Sequence, residues 1–307
     1  MTRTRQPFHP VGAGVLVVDK PGGMTSHDVV ARLRRVTGER RIGHGGTLDP
    51  LATGVLPLLL ASATRLLNYL PADPKAYRVC ARLGIETATA DIDGEVVRTA
   101  RPAVTDAALA RALSELVGNI EQVPPMFSAK KVGGRRLHQL ARRGHDVARN
   151  PCRVRVDELR LVSRDGDDLW LQVTCSPGTY VRSLVADLGQ ALGCGATVAE
   201  LRRERSGPFT AADAHPLAAL DDADAVRARL TPLDRVPLAV DAVRIAAADE
   251  ARFGDGRELR QPARGVATAS TPVAVRSADD RLLGIAARMI DGDVMRLRPR
   301  VVLSTSR

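Results

Sequence analysis

Apolar residues fall in short clusters, and their spacing changes character along the chain. Val15-Leu16-Val17-Val18, closed by the turn-forming Asp19-Lys20-Pro21-Gly22-Gly23, predicts a strand. Val29, Val30, Leu33 and Val36 then recur at helical spacing, with Arg32, Arg34 and Arg35 off that stripe. Thr25 or Ser26 caps this helix, Asp28 suits its first turn and Gly38 stops it. Val55 to Ala61 is apolar throughout and predicts a buried strand, while Tyr77, Val79, Ala81 and Leu83 mark one face of a strand over 76–85. A helix capped by Thr105 follows over 106–117, and Leu137 to Arg143 suggests a short basic helix. Strands are expected around Val154–Leu161 and Leu169–Cys175. Val181, Leu184, Val185, Leu188 and Leu192 then return to helical spacing, and the loop Ser176-Pro177-Gly178-Thr179-Tyr180 opens that helix.

Leu201 to Phe209 reads as a basic strand or loop, Asp213 to Leu230 as a short helical appendage, and Thr231 to Pro237 as a linker. Beyond it, Pro272–Arg276, Leu282–Met289 and Val294–Leu303 alternate as strands, with Asp279-Asp280 and Asp291-Gly292-Asp293 as turns. The expected organisation is a loose tail over 1–13, a main domain over 14–231 and a small β domain over 240–307.

A chain of 307 residues, 44% hydrophobic and 26% charged, has the composition of a globular protein with room for about two domains. No apolar run approaches the ~18 residues of a membrane span, and the N-terminus lacks the apolar core of a secretory signal, so no membrane partner is expected. Cys80, Cys152, Cys175 and Cys194 form no CxxC pair; a reduced, cytoplasmic setting fits them. The net charge of +10 and pI near 10.3 point to a polyanionic partner, RNA or DNA. Arginine carries most of this charge and suits bidentate contact with phosphate, although genome bias also enriches arginine.

The chemistry-bearing segment is Arg41-Ile42-Gly43-His44-Gly45-Gly46-Thr47-Leu48-Asp49-Pro50-Leu51-Ala52-Thr53-Gly54. Its glycines bracket an imidazole, and Pro50 pushes Asp49 away from the α region, so one carboxylate sits on a flexible, turn-rich support. A plain turn with Asp49 as its turn residue fits these residues equally well. No phosphate-binding G-x-x-x-x-G-K-[ST] loop, G-x-S-x-G elbow or H-E-x-x-H pair is present, and no residues near His44 and Asp49 complete a metal set. A nearby arginine would hold the Asp49 carboxyl down, and Arg182 is a candidate, its alternative being a solvated helix residue. Tyr77 and Tyr180 are two of the 3 tyrosines, each in a loaded segment; an aromatic face stacks a base, and a strand tyrosine equally packs a core.

Taken in order, these segments resemble the pseudouridine synthases, most strongly their bacterial TruB branch. The resemblance rests on Gly43 to Gly54, Val18-Asp19-Lys20-Pro21-Gly22, Lys75-Ala76-Tyr77, Thr89-Ala90-Asp91-Ile92-Asp93-Gly94, Val123-Pro124-Pro125-Met126-Phe127-Ser128-Ala129, Lys131-Val132-Gly133-Gly134-Arg135, Gly178-Thr179-Tyr180-Val181-Arg182 and Leu201-Arg202-Arg203. It covers residues 14–210, and departs from the family at Gly45, where members commonly carry threonine.

The resemblance implies an α+β fold: a mixed or antiparallel central sheet with flanking helices, an RNA-binding insertion near 124–150 and a small C-terminal PUA-like β domain. It implies isomerisation of uridine to pseudouridine at position 55 in the T-arm of tRNA, by a monomer, with no cofactor, metal or guide RNA. Asp49 would be the essential carboxylate, as nucleophile or as base toward a glycal. His44 would help displace the nucleotide, Tyr77 would stack on the uracil, and Tyr180 and Leu201 would line the pocket. Arg182 would pair with Asp49, Asp91 would steady Arg182, and Lys20 would support the loop or the RNA backbone. Arg135, Arg136, Arg142 and Arg143 would meet phosphate. Removing the C-terminal unit would weaken RNA affinity more than chemistry. The alternative is a catalytically silent tRNA-binding or tRNA-folding protein.

Overall fold

The computed structural model describes residues 11–126, 131–132, 135–136, 149–263 and 268–303. The extended stretch beyond Met126, the basic helix at Leu137–Arg143 and the side chains of Arg135, Arg136, Arg142 and Arg143 lie outside the described residues.

The first half runs β1 (Gly14–Lys20), α1 (Ser26–Thr37), β2 (Ile42–His44), β3 (Thr53–Leu60), β4 (Lys75–Leu83), a small hairpin of β5 (Ile85–Thr87) and β6 (Val96–Thr99), α2 (Asp106–Glu115) and β7 (Gly118–Gln122). A second small hairpin, β8 (Lys131–Val132) with β9 (Arg135–Arg136), precedes β10 (Cys152–Asp165), β11 (Asp168–Cys175), α3 (Val181–Ala191) and β12 (Ala196–Ser206). Helix α1 starts where expected: Thr25 is the N-cap and forms a reciprocal capping box with Asp28, and Gly38 closes the helix in the left-handed conformation.

After β12 come β13 (Phe209–Thr210), β14 (His215–Pro216), α4 (Ala223–Ala228) and β15 (Thr231–Pro232). The main sheet has the order β14-β1-β3-β12-β4-β11-β10-β7. It is mixed: β1–β14 and β3–β12 are parallel and the other neighbours on this path are antiparallel.

The expected appendage is therefore part of the fold. His215–Pro216 extends the sheet beside β1, and Leu217, Leu220 and Val226 belong to the main core. The expected linker is built in as well, since Thr231–Pro232 pairs with Gly14–Val15 and Val236 is buried. Apolar residues spaced too irregularly for either period still found core positions, which local pattern does not reveal. Val11, expected in a loose tail, is also buried.

Period-2 alternation divides the core in two. Leu16, Val18, Leu56, Leu58 and Leu60 face a cluster shared with α1, α2 and α3. Val15, Val17, Val55 and Leu59 face the opposite side and pack against Ala274, Leu282, Ile285 and Val301. Those partners come from a five-stranded sheet ordered β16-β18-β19-β20-β17. Its strands are β16 (Asp241–Arg244), β17 (Leu259–Pro262), β18 (Thr268–Arg276), β19 (Leu282–Asp291) and β20 (Val294–Val302), with α5 (Ala247–Gly254) inserted after the first. The strands β16 and β17 and helix α5 were not anticipated. The first two are only 4 residues long, and the helix 8, too short for a clear period.

Two features of β3 set up the site. Pro57 sits within this central strand, yet its carbonyl accepts from Gly45 N on the β2 side. The missing N–H points to that same side, so no bond to β1 is lost. At Gly54 (φ 99°) a Cβ would lie 2.1 Å from the Arg203 carbonyl oxygen, so only glycine lets β12 run this close. That contact brings Arg203 under the loop between β2 and β3.

Candidate active site

The loop between β2 and β3 is fastened at five successive carbonyls. Arg203 Nη2 donates to Gly46 O at 3.1 Å and its Nη1 to Thr47 O at 3.4 Å. The Ser26 hydroxyl both accepts from Leu48 N at 2.8 Å and donates to Leu48 O at 3.2 Å. Ala52 N closes a turn on Asp49 O at 3.1 Å, and Gly23 N donates to Pro50 O at 2.9 Å. Lys20, with 0% of its surface exposed, adds a bond to Pro50 O at 3.3 Å and also donates to Pro21 O at 2.8 Å and Met24 O at 2.6 Å. The expected flexible support is thus a fixed one, and glycine content alone did not reveal it. Lys20 is committed to the loop, and burial pulls its ammonium down to about 8.

Asp49 points into a cavity of about 300 Å³, whose walls include Tyr77, Tyr180, Leu201, Arg182, Lys75 and Arg203. Such a volume falls at the lower end of small-ligand pockets, roughly 300–1,000 Å³. Arg182 Nε donates to Asp49 Oδ2 at 2.9 Å, with 4% of the arginine side chain and 35% of the aspartate side chain exposed. Arg182 lies off the apolar stripe of α3, as its position predicted, but it is buried rather than solvated. Its Nη1 reaches Thr89 O at 2.7 Å and the Asp91 Oδ2 oxygen at 3.4 Å. Asp91 is held in turn by the Thr89 hydroxyl, which donates to Oδ1 at 2.5 Å. Loss of water raises the Asp49 carboxyl above its ordinary range; Arg182 opposes this and the Asp91 charge adds to it. Arginine pairing alone predicted the opposite direction. Partial dehydration of a carboxylate on the cavity wall is the larger effect here.

Tyr77 is buried on β4, opposite Val173 on one side and Arg203 on the other. Burial raises its phenol and the adjacent Arg203 guanidinium pulls the other way; the hydroxyl is neutral near pH 7. Tyr180 precedes α3, and the Gln122 carboxamide grips its backbone twice, accepting from Tyr180 N at 2.8 Å and donating to Tyr180 O at 3.1 Å. Leu201 forms an apolar wall.

The structure therefore brings Asp49, Tyr77, Tyr180, Arg182 and Leu201 around one cavity, with Asp91 behind Arg182 and Lys20 behind the loop. His44 lies at the end of β2, half-buried, and its side chain is outside the cavity wall. Sequence reasoning missed Lys75, Arg203, Ser26 and Gln122. For Arg203 a signal existed: along a strand, residues two apart share a face, so Leu201 and Arg203 go inward together. Among the described residues no His/Cys/Asp/Glu cluster could hold a metal, and no helix is long and apolar enough to cross a membrane.

Residues 34–181 match the model of the TruB family pseudouridylate synthase N-terminal domain, and 182–242 that of the tRNA pseudouridylate synthase B C-terminal domain. The tRNA pseudouridine synthase B of Burkholderia mallei is 44% identical over 278 residues, 89% of this chain and 92% of that protein. This chain belongs to the TruB family of pseudouridylate synthases. The proteins of the same name from Chromohalobacter salexigens and Leifsonia xyli are 40% and 48% identical, covering 95% and 70% of this chain and 95% and 74% of theirs. Among solved structures, an H/ACA ribonucleoprotein bound to a substrate RNA containing 2'-deoxyuridine aligns with TM-score 0.70 and 26% identity, over 95% of this chain and 85% of that one. A Cbf5-Nop10-Gar1 complex gives TM-score 0.70 and 27% identity, over the same shares. The α+β fold and the activity class, an isomerase, are those of the TruB family. The boundary between the two TruB matches falls between Val181 and Arg182, so the Asp49–Arg182 pair joins the two matched segments.

Proposed function

We propose that this protein converts uridine to pseudouridine at position 55 in the T-arm of tRNA, with Asp49 as the essential carboxylate. One observation carries the reading. In a chain of this family, an aspartate held by a buried arginine at 2.9 Å opens onto a base-sized cavity beside a tyrosine and a leucine. The relatives at 40–48% identity bear the name tRNA pseudouridine synthase B, whereas the ribonucleoprotein chains stand at 25–27%. That difference supports bare tRNA as substrate without guide RNA; the reading also takes the protein as a monomer whose C-terminal β unit over 240–307 binds RNA.

A uridine within a folded RNA is out of reach, so it is flipped into the cavity, at a cost of a few kcal/mol. Tyr77 and Leu201 clasp the ring, Tyr180 closes the side, and His44, at the entrance strand, helps displace the nucleotide. The N1–C1′ bond then breaks with its electron pair leaving on uracil. Asp49 either bonds to C1′ or removes the C2′ proton to give a glycal. The ring turns and C5 bonds to C1′ as the Asp49–C1′ bond breaks or, on the glycal route, as Asp49 returns the proton to C2′; the C5 proton leaves and N1 gains one. No oxidant, reductant or group donor enters the balance.

Loss of the C5 proton provides the test. Transfer RNA labelled with tritium at uridine carbon 5 should release one tritium per target site with the wild type and none with Asp49→Ala, while both bind tRNA. Release by Asp49→Ala removes Asp49 from this role. No release by the wild type leaves an RNA-binding protein.

A further inference from the structure

The cavity holds more positive charge than the Asp49–Arg182–Asp91 cluster accounts for. Lys75 and Arg203 both line it, with 7% and 1% of their surfaces exposed. Among the described residues, neither makes an ion pair with a carboxylate. Arg203 is committed to carbonyls, Val55 O at 2.7 Å, Gly46 O at 3.1 Å and Thr47 O at 3.4 Å, and lies beside Tyr77 across the β4–β12 pair. Lys75 is different. Its ammonium has three donors, and the Ser206 hydroxyl at 2.7 Å is the one acceptor it meets among the described residues. The nearest anionic candidates balance it only in part. Asp73 is engaged by Arg155 at 2.7 Å, and burial raises the Cys175 thiol to about 11, so it is uncharged. The two cations flank one point of the loop: a Cβ built on Gly46 would lie 3.5 Å from Arg203 Nη1 and 3.8 Å from Lys75 Nζ. Tyr77, two residues along β4, puts its ring on the same face as Lys75.

Two buried like charges oppose folding and persist when a function repays them. Here the reaction proposed above, on which this inference rests, creates an anion. Heterolysis of the N1–C1′ bond leaves its electron pair on the uracil ring, spread over N1, O2 and O4, until C5 bonds to C1′. We propose that the Lys75 ammonium donates to a carbonyl oxygen of the uracil ring and stabilises the charge it carries while detached. Arg203 is a positioning residue that holds Tyr77 and the Gly46–Thr47 carbonyls beside it. No atom is transferred by Lys75; it supplies a preformed charge where negative charge develops, and such donors typically contribute about a hundredfold or more. Burial lowers the ammonium to about 8, so it is still charged at neutral pH while largely stripped of water.

The test separates chemistry from binding. Lys75→Met should slow single-turnover tritium release by about a hundredfold, with tRNA Kd within about twofold of wild type. Lys75→Arg, which keeps the charge, should recover most of the lost rate. Should Lys75→Met fail to fold, Lys75→Arg and Lys75→Gln compared in the same assay decide: a rate that follows charge supports the proposal. Unchanged rates in the neutral variants would show a structural cation only. A weakened Kd with unchanged single-turnover rate would show a phosphate contact; either result overturns the proposal while wild-type release keeps the reaction itself standing. A wild type inactive on tRNA overturns both.

Discussion

Arg182 reaches Asp49 across 133 residues of sequence with a 2.9 Å bond from Nε, while its Nη1 meets Thr89 O and Asp91. The carboxylate is thereby aimed by a group that is itself aimed. One edge of the guanidinium meets the loop of Asp49 and another the turn of Asp91, so the arginine ties these two segments together.

Replacing Arg182 by Met leaves Asp49 and Asp91 facing one another in a dehydrated pocket. Breaking a buried pair from one side costs about 3–5 kcal/mol, and the lower end applies because Asp49 opens onto the cavity. Chemical denaturation of Arg182→Met should show that loss together with abolished turnover. Arg182→Lys should not restore activity, since one ammonium cannot reach three acceptors in fork geometry.

The direction of the Asp49 shift fixes the sign of the pH response. Loss of part of its water raises its carboxyl above the usual aspartate range, and on the proposed reading the ionised form does the work. The acid limb of the single-turnover rate should therefore lie above the ~3.9 of an ordinary aspartate. Asp91 charge contributes to the rise, so Asp91→Asn should move that limb to lower pH, read from rate–pH profiles of the two proteins.

Lys20→Met leaves the Pro21 and Met24 carbonyls without their lysine donor and weakens the hold on Pro50. Pro21 and Met24 are not fully buried, so water can replace part of these bonds, and a loss of about 1 kcal/mol, the low end of the range for an unsatisfied acceptor, is expected by denaturant titration. The rate should fall as well, because Pro50 adjoins Asp49.

At Gly45 the departure from the family threonine costs no space. A Cβ there would meet Pro57 at 3.6 Å and Leu67 at 3.9 Å, ordinary contact distances, and no left-handed backbone is required. Gly45→Ala should raise stability by about 0.4–1 kcal/mol through the unfolded chain, with turnover little changed. Gly46→Ala should do the reverse, since φ there is 141°. Paired thermal melts distinguish the two.

Truncation after residue 238 exposes the face formed by Val15, Val17, Val55 and Leu59, because Ala274, Leu282, Ile285 and Val301 cover it. The shortened chain should melt earlier or aggregate, not merely bind RNA less well as the domain pattern suggests. Light scattering with a thermal melt checks this before any binding assay is read.

The legible part of the site consisted of residues whose type is unusual for its surroundings. Asp49 stood out in a glycine-rich loop, Arg182 beside an apolar stripe, and Tyr77 and Tyr180 as rare aromatics. Arg203 and Lys75 did not, because in a chain with 45 lysines and arginines a cation looks like surface. For Arg203 the shared strand face with Leu201 was a hint, but its place under the loop depends on β12 running beside β3 at Gly54, a tertiary contact. The main strands and helices followed from periodicity. The segment 211–240 did not, because its short pieces borrow their structure from the edge of a sheet formed mostly by the first 206 residues.

Five consecutive carbonyls from Gly46 to Pro50 are already spoken for before any ligand arrives. A segment so fully engaged cannot adapt its shape to what enters without giving up bonds it has. On the proposed reading the adjustment falls on the visitor, so a nucleotide that unstacks with little resistance should be processed more readily than one locked in a stiff helix.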